Sequence, residues 1–212
     1  MRNRSETASW LAVRRRAPVL AAALLGLGCS SVGATRPAAI AVRDARGFTI
    51  TEKVRVSAAV RADFERAVGL MHQERYDGAI PLLVEVTEAA PDVTAPHIDL
   101  AIAYGRVNDL ERAQASIKRA LELDPRHPVA HNELGIIYRR TGRFQEARQS
   151  YETALALYPD FHFAQRNLAI LCDLYLADLN CALEHYEAYS RAVPDDETAA
   201  MWIADLRTRA GR

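Results

Sequence analysis

Residues 129–159 read VAHNELGIIYRRTGRFQEARQSYETALALYP. Apolar side chains recur there at helical spacing: Leu134, Ile137 and Tyr138, then Phe144, Ala147, Tyr151 and Ala154. Between the two sets RTGR (140–143) breaks the pattern, and Gly142 suits a helix end that needs a positive φ. Pro159 stops the second helix and disfavours helical geometry in the residue before it. The stretch therefore predicts two antiparallel helices. Gly135, Ala147 and Ala154 let them approach closely, while Leu134, Tyr138 and Tyr151 fill the space beside them.

The same pattern repeats along the chain. YDGAIPLLVEVTEAAP (76–91), LERAQASIKRALELDP (110–125) and FQEARQSYETALALYP (144–159) align without gaps. Ala79, Ala113 and Ala147 recur at one fixed interval (113 − 79 = 147 − 113 = 34), and Pro91, Pro125 and Pro159 keep the same interval. A fourth unit ends at Pro194, one position later than that interval would place it, with Ala182 twelve residues before it.

These units resemble the tetratricopeptide repeat, whose signature is Leu-Gly, then Tyr, Ala, an aromatic residue, Ala and Pro at fixed places. The third unit carries Leu134, Gly135, Tyr138, Ala147, Tyr151, Ala154 and Pro159. The second has Leu100, Ala101, Tyr104, Ala113, Ile117, Ala120 and Pro125. The first keeps Ala67, Leu70, Ala79, Leu83 and Pro91, with Thr87 where Ala is usual. The fourth keeps Leu168 and Ala169, but Cys172 stands for Tyr and Tyr189 for the later Ala. The resemblance implies an all-α solenoid of four helix-turn-helix repeats (60–93, 94–127, 128–161, 162–196) within residues 58–195. Residues 197–212 would form a capping helix, with Met201, Trp202, Ile203 and Leu206 on one apolar face and Arg207 and Arg209 outside.

The front of the chain differs. Arg2, Arg4, Arg14, Arg15 and Arg16 precede APVLAAALLGLG (17–28), twelve apolar or small residues. A helix of that length rises only about 18 Å, and a bilayer span needs about twenty residues. A basic start with a short apolar middle describes an export signal over residues 1–28. LLGLGC (24–29) resembles a bacterial lipobox, which implies lipidation of Cys29, although Gly26 stands where that family prefers Leu. Ser30 then favours the outer membrane, by the same resemblance. A rival reading makes VGA (32–34) an ordinary cleavage site and the mature protein soluble in the periplasm. Lipid chains on Cys29 would be the one attached group, and no cofactor is expected; each buried methylene contributes about 0.8 kcal/mol to anchoring. Residues 29–57 read as a tether. FTITEKVRV (48–56) alternates Phe48, Ile50, Val54 and Val56 against polar residues, a pattern that fits a short strand; with no second strand evident, an extended tether docking on the first repeat or on a partner is expected instead.

Charge narrows the function. The whole chain holds 27 basic and 27 acidic residues; without residues 1–28 the balance is 22 to 26, a net of −4. That argues against nucleic acid as the partner. Catalytic constellations are sparse as well. His127 and His131 sit four apart in HPVAH (127–131), a spacing that can hold a metal, but structural sites usually take four ligands, so no metal is expected. Cys181 and His185 share a helix face without a third orienting group, so neither an enzyme nor a small-molecule substrate is expected. Cys172 and Cys181 flank the turn of the fourth unit. In an oxidising compartment a disulfide would staple this hairpin; the alternative is two small buried thiols.

By register, the first helix of each repeat lines a concave groove. The groove positions are Phe64, Val68, Met71, Ile98, Ile102, Arg106, Asn132, Ile136, Arg139, Arg140, Arg166, Asn167 and Ile170. Arg forks suit carboxylates, and Asn side chains can bond an extended peptide backbone. The family's carboxylate clamp is not supported, because Phe64, Val68 and Ile98 fill several of its places. The expected partners are proteins or peptides of the cell envelope. The fourth unit and tail resemble repeat lipoproteins that accompany TonB-type energy transducers, and the lipobox with repeats also resembles lipoproteins that assemble pilus secretins.

Overall fold

The computed structural model describes residues 39–42, 48–51 and 54–211. The export signal and Cys29 lie outside the described residues. The described helices are α1 (Ala58–His72), α2 (Tyr76–Ala89), α3 (Thr94–Arg106), α4 (Leu110–Leu123), α5 (Pro128–Arg140), α6 (Phe144–Leu157), α7 (His162–Leu174), α8 (Leu179–Ala192) and α9 (Glu197–Arg209). None of them is long and apolar enough to cross a membrane.

Each helix is bounded by local chemistry that recurs with the repeat. The residues before the four prolines, Ala90, Asp124, Tyr158 and Val193, all leave helical geometry, with φ between −132° and −145° and ψ between 65° and 94°. The proline ring crowds the preceding residue out of the α region. Between the two helices of each unit one residue turns left-handed: Glu74, Asn108, Gly142 and Ala177, with φ of 59°, 68°, 76° and 53°. The second helices then start on side-chain caps where the sequence allows, as Asp109 accepts from the Arg112 N–H at 3.0 Å and Asp178 from that of Cys181 at 3.1 Å.

Paired helices α1/α2, α3/α4, α5/α6 and α7/α8 pack antiparallel, and each pair stacks on the next. The odd-numbered helices α1, α3, α5 and α7 also touch one another, which makes them the inner wall of the solenoid. Fully buried Ala79, Ala113, Ala147 and Ala182 lie one per repeat where the pair crosses. Tyr151 is fully buried against Gly135. Two core clusters, one from α1 to α5 and one from α6 to α9, share Tyr138 at their junction. The fold is an all-α solenoid.

A second recurring device ties each unit to the one before. His97 Nε2 lies 3.1 Å from the Pro91 carbonyl, His131 Nε2 lies 2.9 Å from that of Pro125, and Gln165 Nε2 donates to that of Pro159 at 3.0 Å. The three side chains hold the same place in successive repeats, and each reaches back to the proline of the preceding inter-repeat loop.

Two expectations need correction. The segment before the repeats is not simply an extended tether: the alternating run does form a strand, Phe48–Thr51 (β2), and it pairs antiparallel with Ala39–Val42 (β1), in a register that sets Ala39 opposite Thr51 and Val42 opposite Phe48. The partner strand AIAV is a four-residue run without alternation, so it carries no strand signal. Among the described elements the hairpin strands contact only each other. On α9, Met201 points outward at 63% exposure, and Ala199, Ile203 and Leu206 face α8 and the core instead. One turn of a helix cannot bury both Met201 and Ala199, and the smaller residue fits the closer approach.

Candidate partner-binding groove

The inner helices place polar residues at matching register. Asp99 on α3, Glu133 on α5 and Asn167 on α7 hold equivalent places in successive repeats, as do Ile102, Ile136 and Ile170. Residues three and four apart share one face of a helix. Stripes at that spacing (Ala101, Ile102, Gly105 and Arg106 on α3; Glu133, Ile136, Ile137 and Arg140 on α5; Phe163, Arg166 and Asn167 on α7), together with Arg139, enclose a concave pocket of about 350 Å³.

Of the thirteen groove positions read from sequence, seven line this pocket: Ile102, Arg106, Ile136, Arg139, Arg140, Arg166 and Asn167. Met71 and Ile98 do not line a groove surface; they are buried in the core at 5% and 4% exposure. Asn132 is fully buried, where its Oδ1 accepts from Asn167 Nδ2 at 2.9 Å and ties α5 to α7. Phe64 and Ile170 are half-buried against the two core clusters, and Val68 is half-buried on α1; none of the three reaches the pocket. The register is right in each case, but the helices close over these positions.

The four arginines play unlike parts. Arg140 reaches back across the repeat boundary, donating from Nη1 to the Gly105 carbonyl at 2.6 Å and from Nη2 to Asn108 Oδ1 at 2.9 Å. It caps the end of α3, so it is a repeat-to-repeat tie and not a groove cation open to a partner. Arg139 and Arg166 are held by aromatic faces: Arg139 lies 5.8 Å from the Tyr175 ring, and Arg166 lies 5.7 Å from Trp202 and 6.0 Å from Tyr189. Their buried Nε atoms have no hydrogen-bond partner among the described residues. Arg106, Arg139 and Arg166 form no salt bridge with any described residue.

Glu133 is the pocket residue that sequence reasoning missed, along with Phe163, Ala101, Gly105 and Ile137. Glu133 is 7% exposed, and its carboxylate accepts from Asn132 Nδ2 at 3.3 Å. Burial pushes its pKa up to about 7, against the pull of nearby Arg106. The signal was present, since Glu133 holds in the third repeat the place that Asn167 holds in the fourth.

The remaining candidates have structural partners. His127 caps α5, its Nδ1 accepting from the Ala130 N–H at 3.3 Å, while His131 bonds the Pro125 carbonyl, so the two imidazoles serve different ends of one turn. Cys172 and Cys181 are joined, with S–S 2.03 Å and Cα–Cα 5.9 Å. His185 Nδ1 pairs with Gln165 Oε1 at 2.6 Å, so Cys181 and His185 do not form a nucleophile–base pair.

The family model described as tetratricopeptide repeat matches residues 98–160. No curated protein matches the chain. Among solved structures, MamA (residues 41 to the end) from Desulfovibrio magneticus RS-1 is similar at TM-score 0.64 and 16% identity, over 74% of this chain and 88% of that one. The structure reported in a functional characterisation of Pseudomonas aeruginosa pilF is similar at 0.65 and 23%, over 72% of this chain and 69% of that one. The first repeat domain of Spaghetti (RPAP3), bound to the HSP90 peptide SRMEEVD, is similar at 0.54 and 23%, over 59% and 99%. Residues 98–160 match the tetratricopeptide-repeat model, and the stacked helix pairs share the solenoid fold of these solved structures.

Proposed function

We propose that this protein is a non-enzymatic scaffold that holds an extended acidic segment of a partner protein in its concave groove. The observation that carries this reading is the pocket between α3, α5 and α7, where Arg106, Arg139 and Arg166 bring guanidinium groups that form no salt bridge with any described residue. Guanidinium forks pair with carboxylates in two parallel hydrogen bonds, strongest where water is partly excluded. The peptide SRMEEVD in the Spaghetti complex is itself acidic, which supports the same ligand chemistry for a groove of this fold.

The site of action is part of the proposal. The signal-like residues 1–28 and the lipobox-like LLGLGC support a lipoprotein held by Cys29 on the periplasmic face of the outer membrane. There it would gather the parts of an envelope machine, with a TonB-type energy-transduction system favoured by the resemblance of the fourth unit and tail. A second reading, assembly of a pilus secretin, has pilF among the structures of like fold. Co-purification from detergent-solubilised envelope distinguishes the two: energy-transducer subunits support the first, a secretin the second. A double Arg106→Gln, Arg166→Gln variant that recovers the same partner in full would refute the groove as the binding surface. Membrane fractionation of a Cys29→Ser variant, with loss of lipid label and release from the membrane expected, tests the anchor.

A further inference from the structure

The pocket contains one acid among its lining residues. Glu133 lies on the same wall as Arg139 and Arg140, opposite Arg106 on α3 and Arg166 on α7. An incoming carboxylate must therefore settle among guanidiniums with a buried carboxylate beside it. Two carboxylates in one low-dielectric site cannot both stay ionised cheaply; a shared proton removes the repulsion and adds a hydrogen bond.

We propose that ligand capture in this pocket is proton-coupled: a partner carboxylate docks on Arg106, Arg139 and Arg166 together with one solvent proton that settles on Glu133. This rests on the acidic-segment reading above. Glu133 is the specificity device. It admits a carboxylate whose charge is matched by a proton, and it disfavours the same ligand when that proton is unavailable.

The surroundings of Glu133 support this. From α3, Arg106 stabilises its charged form and Asp99 its neutral form. Arg140 on its own helix also favours charge, and Asn132 donates to it. From α6 the buried Tyr151 hydroxyl is near enough to interact electrostatically. From α7 come Arg166 and the neutral Asn167, and α4 sends no residue to the pocket. Burial outweighs these partners and leaves Glu133 with a pKa of about 7, where a small change in nearby charge shifts its protonation. His127 and His162 have pKa values of about 4 and stay neutral across the relevant range.

The test uses fluorescein-labelled, C-amidated hexaglutamate as probe and hexaglutamine as control, with anisotropy read from pH 6 to 8.5. The peptide carboxylates ionise near pH 4.3 and are constant over that range. Affinity for hexaglutamate should fall as pH rises above about 7, approaching tenfold per pH unit. Calorimetry in two buffers of different ionisation enthalpy should count proton uptake of about one half at pH 7. Glu133→Gln should abolish the slope and bind at pH 8 as the wild type does at pH 6. The proton count needs no variant, so it stands even if Glu133→Gln folds poorly. Binding that is independent of pH, or no proton uptake, overturns the proposal while leaving the acidic groove intact. No binding at any pH, or equal binding of hexaglutamine, overturns the groove reading and the proposal with it.

Discussion

A Cβ on Gly135 of α5 would lie 2.5 Å from Cε1 of Tyr151 on α6. The ring is fully buried, so it cannot swing away as a surface side chain would. Gly135→Ala gains up to about 1 kcal/mol in helix propensity, but overpacking a tight core contact costs about 1–3 kcal/mol. The contact wins, and urea denaturation should show a net loss. An unchanged midpoint would mean that the two helices separate easily.

The four left-handed turn residues provide an internal comparison. Gly142 adopts its φ of 76° freely, whereas Ala177 at 53° and Glu74 at 59° carry a Cβ in that region. A left-handed L-residue costs about 1–2 kcal/mol, and Gly gives back part of that through its looser unfolded state. Ala177→Gly and Glu74→Gly should therefore each stabilise by about 0.5–1 kcal/mol, and Gly142→Ala should destabilise by a similar amount. Opposite signs in chemical denaturation would refute this account of the turns.

Arg140 binds Gly105 and Asn108 with two different nitrogens, and this geometry is specific to a guanidinium. Arg140→Ala should cost about 1 kcal/mol, and Arg140→Lys should not restore it. In a double-mutant cycle with Asn108→Ala, the second change should cost less once the first is made. Additive losses would show that the tie contributes nothing.

The Cys172–Cys181 bridge closes a loop over a separation of nine residues. Loop-closure entropy for that length is worth about 2.5 kcal/mol. Reductant should lower stability by up to that amount and loosen α7 and α8 before the first three repeats, as amide exchange would reveal. Equal protection of all four repeats with and without reductant would count against it.

Two buried histidines and one buried glutamate set opposing pH trends. Burial lowers His127 and His162 to about 4, so their contribution is complete above pH 6.5 and is lost as pH falls towards 4. Burial raises Glu133 to about 7, so it weakens the fold as pH rises from about 4.5 through 7. The wild type should show a shallow stability maximum. Glu133→Gln should be more stable than the wild type at pH 8 and should lose stability more steeply between pH 6.5 and 4. Matching urea midpoints at pH 8 would rule out a charged, costly Glu133 there.

The helix pairs were legible because their signals are local. Pro159, Gly142 and the spacing from Leu134 to Ala154 act within a few residues of themselves, and the repeat period copies them along the chain. The partner strand AIAV was not legible, since four residues without alternation leave no periodic trace. The groove was legible as a register but not as a surface. Ile98 and Ile102 are both inner-face residues one turn apart, yet Ile98 is buried in the core while Ile102 lines the pocket.

Sequence by itself determined that the chain forms helix pairs in repeats and which side of each helix turns inward, because side-chain periodicity is a property of a single helix. Only the tertiary structure decided what the inward residues do. Arg140 reaches back to Gly105 in the preceding repeat, Arg139 and Arg166 rest against aromatic rings, and Glu133 is enclosed among them. Those outcomes depend on how far neighbouring helices approach and rotate. Shared packing across repeats sets that geometry, and no local pattern records it.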